Sequence, residues 1–74
     1  MAFANPDLAL REFNLHTGEE VADFGAGAGA YTFATARAVG PDGRVYAVEI
    51  QKEILERITR EALSMGLRNI HPIL

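Results

Sequence analysis

Seventy-four residues allow one small domain at most, and 49% hydrophobic with 23% charged residues is the balance of a folded globular chain. A net charge of −3, with basic residues spread along the chain, leaves no electrostatic case for a nucleic-acid or membrane-surface partner. The absence of cysteine excludes disulfides and thiolate metal sites, and neither His16 nor His71 has a ligand-type cluster beside it, so no metal site is expected.

In chain order, Met1 to Asp7 supply neither a charged n-region nor an apolar h-region, and no apolar run approaches the ~20 residues of a membrane helix. A cytoplasmic protein is the expectation. Asn5 as N-cap, Pro6 at the first helical position and Asp7 in the first turn predict a short helix over residues 5–15, stopped at 16–18. Residues 19–24 read as a strand that runs straight into a glycine-rich loop. From Gly29 or Ala30 the period becomes helical, with Ala30, Phe33, Ala34 and Val39 near one face, until the turn Gly40-Pro41-Asp42-Gly43.

Arg44 to Ile50 is a second strand whose β-branched and aromatic residues suggest burial on both faces. Residues 51–65 form the longest helix, with Ile54, Leu55, Ile58, Ala62 and Leu63 as its apolar stripe and Gly66 as its C-cap. Glu53–Arg57, Glu56–Arg60 and Arg57–Glu61 are expected as solvent-side pairs one turn apart. Residues 69–74 begin a third apolar run that includes Pro72. After the N-terminal helix, residues 19–74 thus make a βαβαβ unit. That alternation predicts an α/β fold with parallel strands, right-handed crossovers and helices on both faces of the sheet.

The chemistry is concentrated at the loop Gly25-Ala26-Gly27-Ala28-Gly29. Glycines admit positive φ and remove the Cβ atoms that hold a ligand off the backbone, while the helix beyond presents free N–H groups. Ala26 and Ala28 keep the intervening positions small. Glu49 stands at the end of the second strand, 24 residues after Gly25, where a carboxylate can accept hydrogen bonds from ribose hydroxyls. Asp23, at the tip of the first strand, can meet a cationic ligand group.

Together these residues resemble a known family. Val21-Ala-Asp23-Phe-Gly25-Ala-Gly27-Ala-Gly29 is similar to the first motif of class I, Rossmann-like S-adenosylmethionine-dependent methyltransferases. Val45-Tyr-Ala-Val-Glu49-Ile50 is similar to their second motif. The resemblance spans about residues 15–74. It implies a partial three-layer sandwich with strand order 3-2-1, and S-adenosylmethionine or S-adenosylhomocysteine as ligand. It implies that Gly25, Ala26, Gly27 and Gly29 line the methionine and ribose portion, with Asp23 near the amino-acid moiety. Glu49 would hold the ribose hydroxyls and Ile50 would pack on the adenine. Ala26 departs mildly from the family, which often has Cys or Ser there. Substrate-binding and catalytic elements of the family lie beyond the third strand. The chain is therefore expected to be the amino-terminal half of a methyltransferase domain, inactive alone, with no catalytic residue to name.

Other readings stay open at this level. Gly25-x-Gly27-x-x-Ala30 also fits a dinucleotide fingerprint for NAD(P) or FAD, although Asp23 stands where that fingerprint has an apolar residue. Asp23 could simply cap the following helix or loop, and Glu49 could be a solvated strand-end acid or part of the N-cap region of the next helix. Tyr31 and Phe33 fit helix packing. A non-catalytic assembly module is the remaining reading, since strand order 3-2-1 leaves residues 19–24 as an open edge that invites self-association.

Overall fold

A computed structural model of the chain describes residues 13–27 and 29–74. Their order is β1 (Glu20–Phe24), α1 (Ala30–Val39), β2 (Arg44–Val48), α2 (Lys52–Ser64) and β3 (Ile70–Ile73). The helix expected over 5–15 lies outside the described residues except for its last three. The strands form one parallel sheet in the order β1-β2-β3. Val21 pairs with Val45 and Phe24 with Val48, while Val45 pairs with Ile70 and Val48 with Ile73.

Side chains alternate across a strand, and this alternation decides where the core lies. Val45 and Ala47 of β2 are fully buried. Ala47 packs with Phe33 of α1 and with Leu55, Ile58 and Ala62 of α2. Val45 packs with Ala36 and Val39 of α1, joined by Val21 and Ile70. Both helices therefore cover the same face of the sheet, where the sequence suggested helices on both. Two successive right-handed crossovers that step in one direction across a parallel sheet must lie on one side of it. The other face carries Ala22, Phe24, Tyr46, Val48, His71 and Ile73, and Phe24 is 77% exposed. There Tyr46 stacks on His71 with ring centroids 5.5 Å apart. β2 is accordingly buried on one face and half-buried on the other.

Local chemistry sets the boundaries. The turn after α1 closes with Gly43 N–H donating to Gly40 O at 3.0 Å. A Cβ on Gly43 would come within 2.6 Å of the Val39 side chain and 2.7 Å of Glu19 O, so only glycine lets β2 enter beside α1. α2 ends at Met65, with Gly66 just past it at φ +75°. Leu67 N–H reaches back to Ala62 O at 2.9 Å and Gly66 N–H to Leu63 O at 3.1 Å, the paired bonds of a Schellman ending. Pro72 is accommodated because β3 is an edge strand among the described residues. No described helix is long and apolar enough to cross a membrane.

Asn69 holds the lower end of this arrangement. It is 6% exposed, and its Nδ2 donates to Ala36 O at 2.9 Å and to Gly40 O at 2.8 Å. Two carbonyls at the C-terminus of α1 are thereby satisfied by a residue that opens β3. Asn69→Ala removes two buried hydrogen bonds, leaving Ala36 O with Gly40 N–H and Gly40 O with Gly43 N–H alone, so it should destabilise the fold by about 1–3 kcal/mol. A urea melt of the variant checks this, and an unchanged midpoint would show that water replaces the amide.

Candidate functional site

The loop and Glu49 meet at the C-terminal ends of β1 and β2. Because Phe24 pairs with Val48, the chain leaves β1 beside the end of β2, and Gly25 N–H donates to Val48 O at 2.8 Å. Gly25, Gly27 and Gly29 all take positive φ, at +69°, +58° and +90°. Their surroundings differ. A Cβ on Gly25 would meet nothing within 4 Å, and one on Gly27 would meet only Gly25 O at 3.6 Å. A Cβ on Gly29 would lie 2.9 Å from the Phe33 ring and 3.2 Å from Ile58 Cγ1. The first two glycines thus border open space, and the third packs down onto the core. Ala26 is also buried, in the cluster with Phe33, Leu55 and Ile58, so core packing is what keeps that position small. Ala28 lies outside the described residues.

Glu49 is 8% exposed and accepts from three backbone amides. Its Oε2 accepts from Ile50 N–H at 2.8 Å and from Gln51 N–H at 3.1 Å. Its Oε1 accepts from Gly27 N–H at 3.2 Å, across 22 residues. The amides of Gln51 and Gly27, against a partial burial penalty and with help from Ile50, hold the carboxyl below the ordinary glutamate range. The charge therefore persists into acid, and its stabilising effect is lost only as pH falls through that lowered value. β2 was expected to run to Ile50 but stops at Val48, because the Glu49 carboxylate draws the next two amides out of the ladder. Glu49 is thus not the solvated strand-end acid envisaged as one alternative, but its bonds to the Ile50 and Gln51 amides do place it in the N-cap region of α2, as the other alternative had it.

Asp23 faces the helices. Thr32 Oγ1 donates to its Oδ2 at 2.6 Å, and Asp23 borders a cavity of about 410 Å³ that Phe13, Leu15, Tyr31 and Thr35 also line. Ile50 stands 89% exposed next to Glu49, an apolar side chain that the described residues leave largely uncovered. Asp23, Gly25, Gly27, Glu49 and Ile50 are thus gathered at one end of the sheet, whereas Gly29 and the Ala26 side chain belong to the core beneath it. Phe33 is core, as expected, and Tyr31 is 42% exposed. Two residues were missed from sequence. Thr32 gave only the weak signal of a hydroxyl in the first turn of a helix that abuts β1. Arg57, expected to pair with Glu53 or Glu61, instead donates Nη2 to Gly27 O at 3.3 Å. Gly27 is therefore held at its N–H by Glu49 and at its C=O by Arg57.

Known proteins share this chain's sequence pattern and fold. A family model described as a methyltransferase domain matches residues 15–73. Aklanonic acid methyltransferase DauC of Streptomyces sp. (strain C5) is 44% identical over 54 residues, covering 73% of this chain and 24% of that protein. The crystal structure of a SAM-dependent methyltransferase from Aquifex aeolicus superposes with a TM-score of 0.84 at 35% identity, covering 93% of this chain and 37% of that one. Coclaurine N-methyltransferase bound to N-methylheliamine and SAH gives a TM-score of 0.83 at 30% identity, covering 93% of this chain and 20% of that one. The chain thus spans about a quarter of the curated relative and at most about two fifths of these structures. All three are methyltransferases, and none of them favours a dinucleotide reading.

The unequal surroundings of the glycines separate binding from folding. Gly29→Ala adds a clash to an unfavourable φ and should destabilise the fold by about 2–4 kcal/mol. Gly25→Ala adds only the φ penalty of about 1–2 kcal/mol, but its methyl group projects into the open space and should abolish ligand binding by a chain that still folds. Thermal melts and ligand titrations of the two variants check the contrast, and equal melting losses with equal binding losses would refute it.

Proposed function

The chain belongs to the family of methyltransferase domains, and on that premise we propose that residues 23–50 are the cofactor half of a site for S-adenosylmethionine. The observation that carries the proposal is Glu49. A nearly buried carboxylate, fixed by three backbone amides beside an open glycine floor, is a preformed acceptor for neutral hydroxyls. In this reading Glu49 takes the ribose hydroxyls. The two oxygens offer about four acceptor positions, three of which the amides occupy, so the 3.2 Å bond to Gly27 is the one that yields to a second hydroxyl. Ile50 supplies the apolar surface against the adenine. Gly25 and Gly27 let the ligand lie on the backbone, and Asp23 meets the ammonium of the amino-acid end.

Bound S-adenosylmethionine supplies a methyl group already activated on sulfonium, so transfer depends on in-line positioning more than on acid–base residues. The described residues do the holding, and no catalytic role is assigned to any of them. For the whole protein the reading is methyl transfer to a small-molecule acceptor in the cytoplasm. The acidic charge balance argues against a nucleic-acid partner, and a chain without cysteine suits a reducing compartment. The exposed Phe24 and the outer edge of β1 favour self-association through Glu20–Phe24 in the isolated chain. Sedimentation should show dimers or larger species, and a monodisperse monomer would remove this part of the reading.

Calorimetric titration with S-adenosylhomocysteine, S-adenosylmethionine and NAD tests the cofactor assignment. The adenosyl ligands should bind more tightly than NAD, and Glu49→Gln should weaken them by about tenfold or more as charge-assisted hydrogen bonds are lost. Tighter binding of NAD, or an unchanged affinity in Glu49→Gln, would contradict the proposal.

A further inference from the structure

We infer that Thr32 is a positioning residue for the amino-acid end of the ligand, acting through Asp23. This rests on the S-adenosylmethionine reading above and extends it to a residue that need not touch the ligand. Thr32 is wholly buried in the first turn of α1. Its hydroxyl donates to Asp23 Oδ2 at 2.6 Å, inside the ~2.5–2.7 Å range of a hydroxyl bound to a carboxylate.

A threonine farther along a helix can donate to the carbonyl one turn back, as Thr59 in α2 does to Leu55 O at 2.9 Å. Thr32, in the first turn of α1, sends its only proton across to β1 instead. Valine would fill the same volume and needs no partner at all, so packing does not account for the hydroxyl. What the hydroxyl adds is direction. It pins one oxygen of a carboxylate that would otherwise rotate about two side-chain torsions. The second oxygen, Oδ1, has no partner among the described residues, and Asp23 borders the cavity of about 410 Å³ between β1 and the start of α1 that Val21, Ala22, Tyr31 and Thr35 also line. An anion held by one oxygen and open at the other is suited to a primary ammonium, the charged group of an α-amino acid. Thr32 and Asp23 together would then select ligands that carry the amino-acid tail over those that carry the nucleoside alone.

Two ligands separate this role from a structural one. S-adenosylhomocysteine has the ammonium, and 5′-methylthioadenosine has the same adenosine thioether without the amino acid. Both are titrated calorimetrically into the 74-residue chain and its Thr32→Val and Thr32→Ser variants. Thr32→Val should weaken S-adenosylhomocysteine by about 5–10-fold and leave methylthioadenosine within about twofold, and Thr32→Ser should restore the difference. A Thr32→Val variant that loses both ligands equally, through misfolding or otherwise, would overturn the inference. So would one that loses neither, or a Thr32→Ser variant that fails to restore selectivity. If the unaltered chain binds both ligands while Thr32→Val changes nothing, the cofactor reading stands and this inference falls. If the unaltered chain binds neither, the cofactor reading itself falls, and this inference with it.

Discussion

The Glu49 carboxylate joins three parts of the chain that otherwise have no reason to meet. It closes β2, receives the Gly27 amide from the loop after β1, and receives the Ile50 and Gln51 amides that lead into α2. Taking a carboxylate out of water is costly unless its oxygens are hydrogen-bonded. Its burial therefore draws the loop inward with N–H groups pointing at it, and α2 starts only three residues after the strand. The parallel register makes this possible. Had β1 slipped by one residue against β2, Phe24 would no longer sit opposite Val48, and Gly27 would be displaced from the carboxylate.

The same few residues serve the core and the site. Gly29 and Ala26 face down onto Phe33 and Ile58, while Gly25 and Gly27 face open space. The loop is thus a thin wall with packed side chains below and bare backbone above. Gly27 is gripped at both ends of its residue, by Glu49 and by Arg57 of α2, so loop position is coupled to the longest described helix. A ligand that engages Glu49 then acts on an element already tied to the sheet, and its binding free energy adds to the stability of a small domain.

Much of this was legible in the residues. The glycine spacing, the acids before and after it, and the change from strand to helical period located the loop and its two carboxylates, and the order of elements fixed a parallel sheet. Polar residues on helices were harder. Arg57 sits among glutamates at helical spacing and reads as a solvated pair, yet its reach brings it to Gly27. Thr32 reads as an ordinary helix residue and Asn69 as the start of the third apolar run because their partners, Asp23 and the carbonyls of Ala36 and Gly40, are distant in sequence. The two described helices share one face of the sheet because the handedness of successive crossovers that step in one direction places both on one side.

The most direct test is to watch the Gly27 amide while ligand is added. In an ¹H–¹⁵N NMR titration with S-adenosylhomocysteine, the Gly25, Gly27, Ile50 and Gln51 amides should shift together. The largest change should fall on Gly27, whose bond to Glu49 is the long one at 3.2 Å. The Gly40 and Asn69 amides, at the opposite end of the sheet, should stay in place. Shifts confined to that opposite end, or no shifts at saturating ligand, would contradict the account.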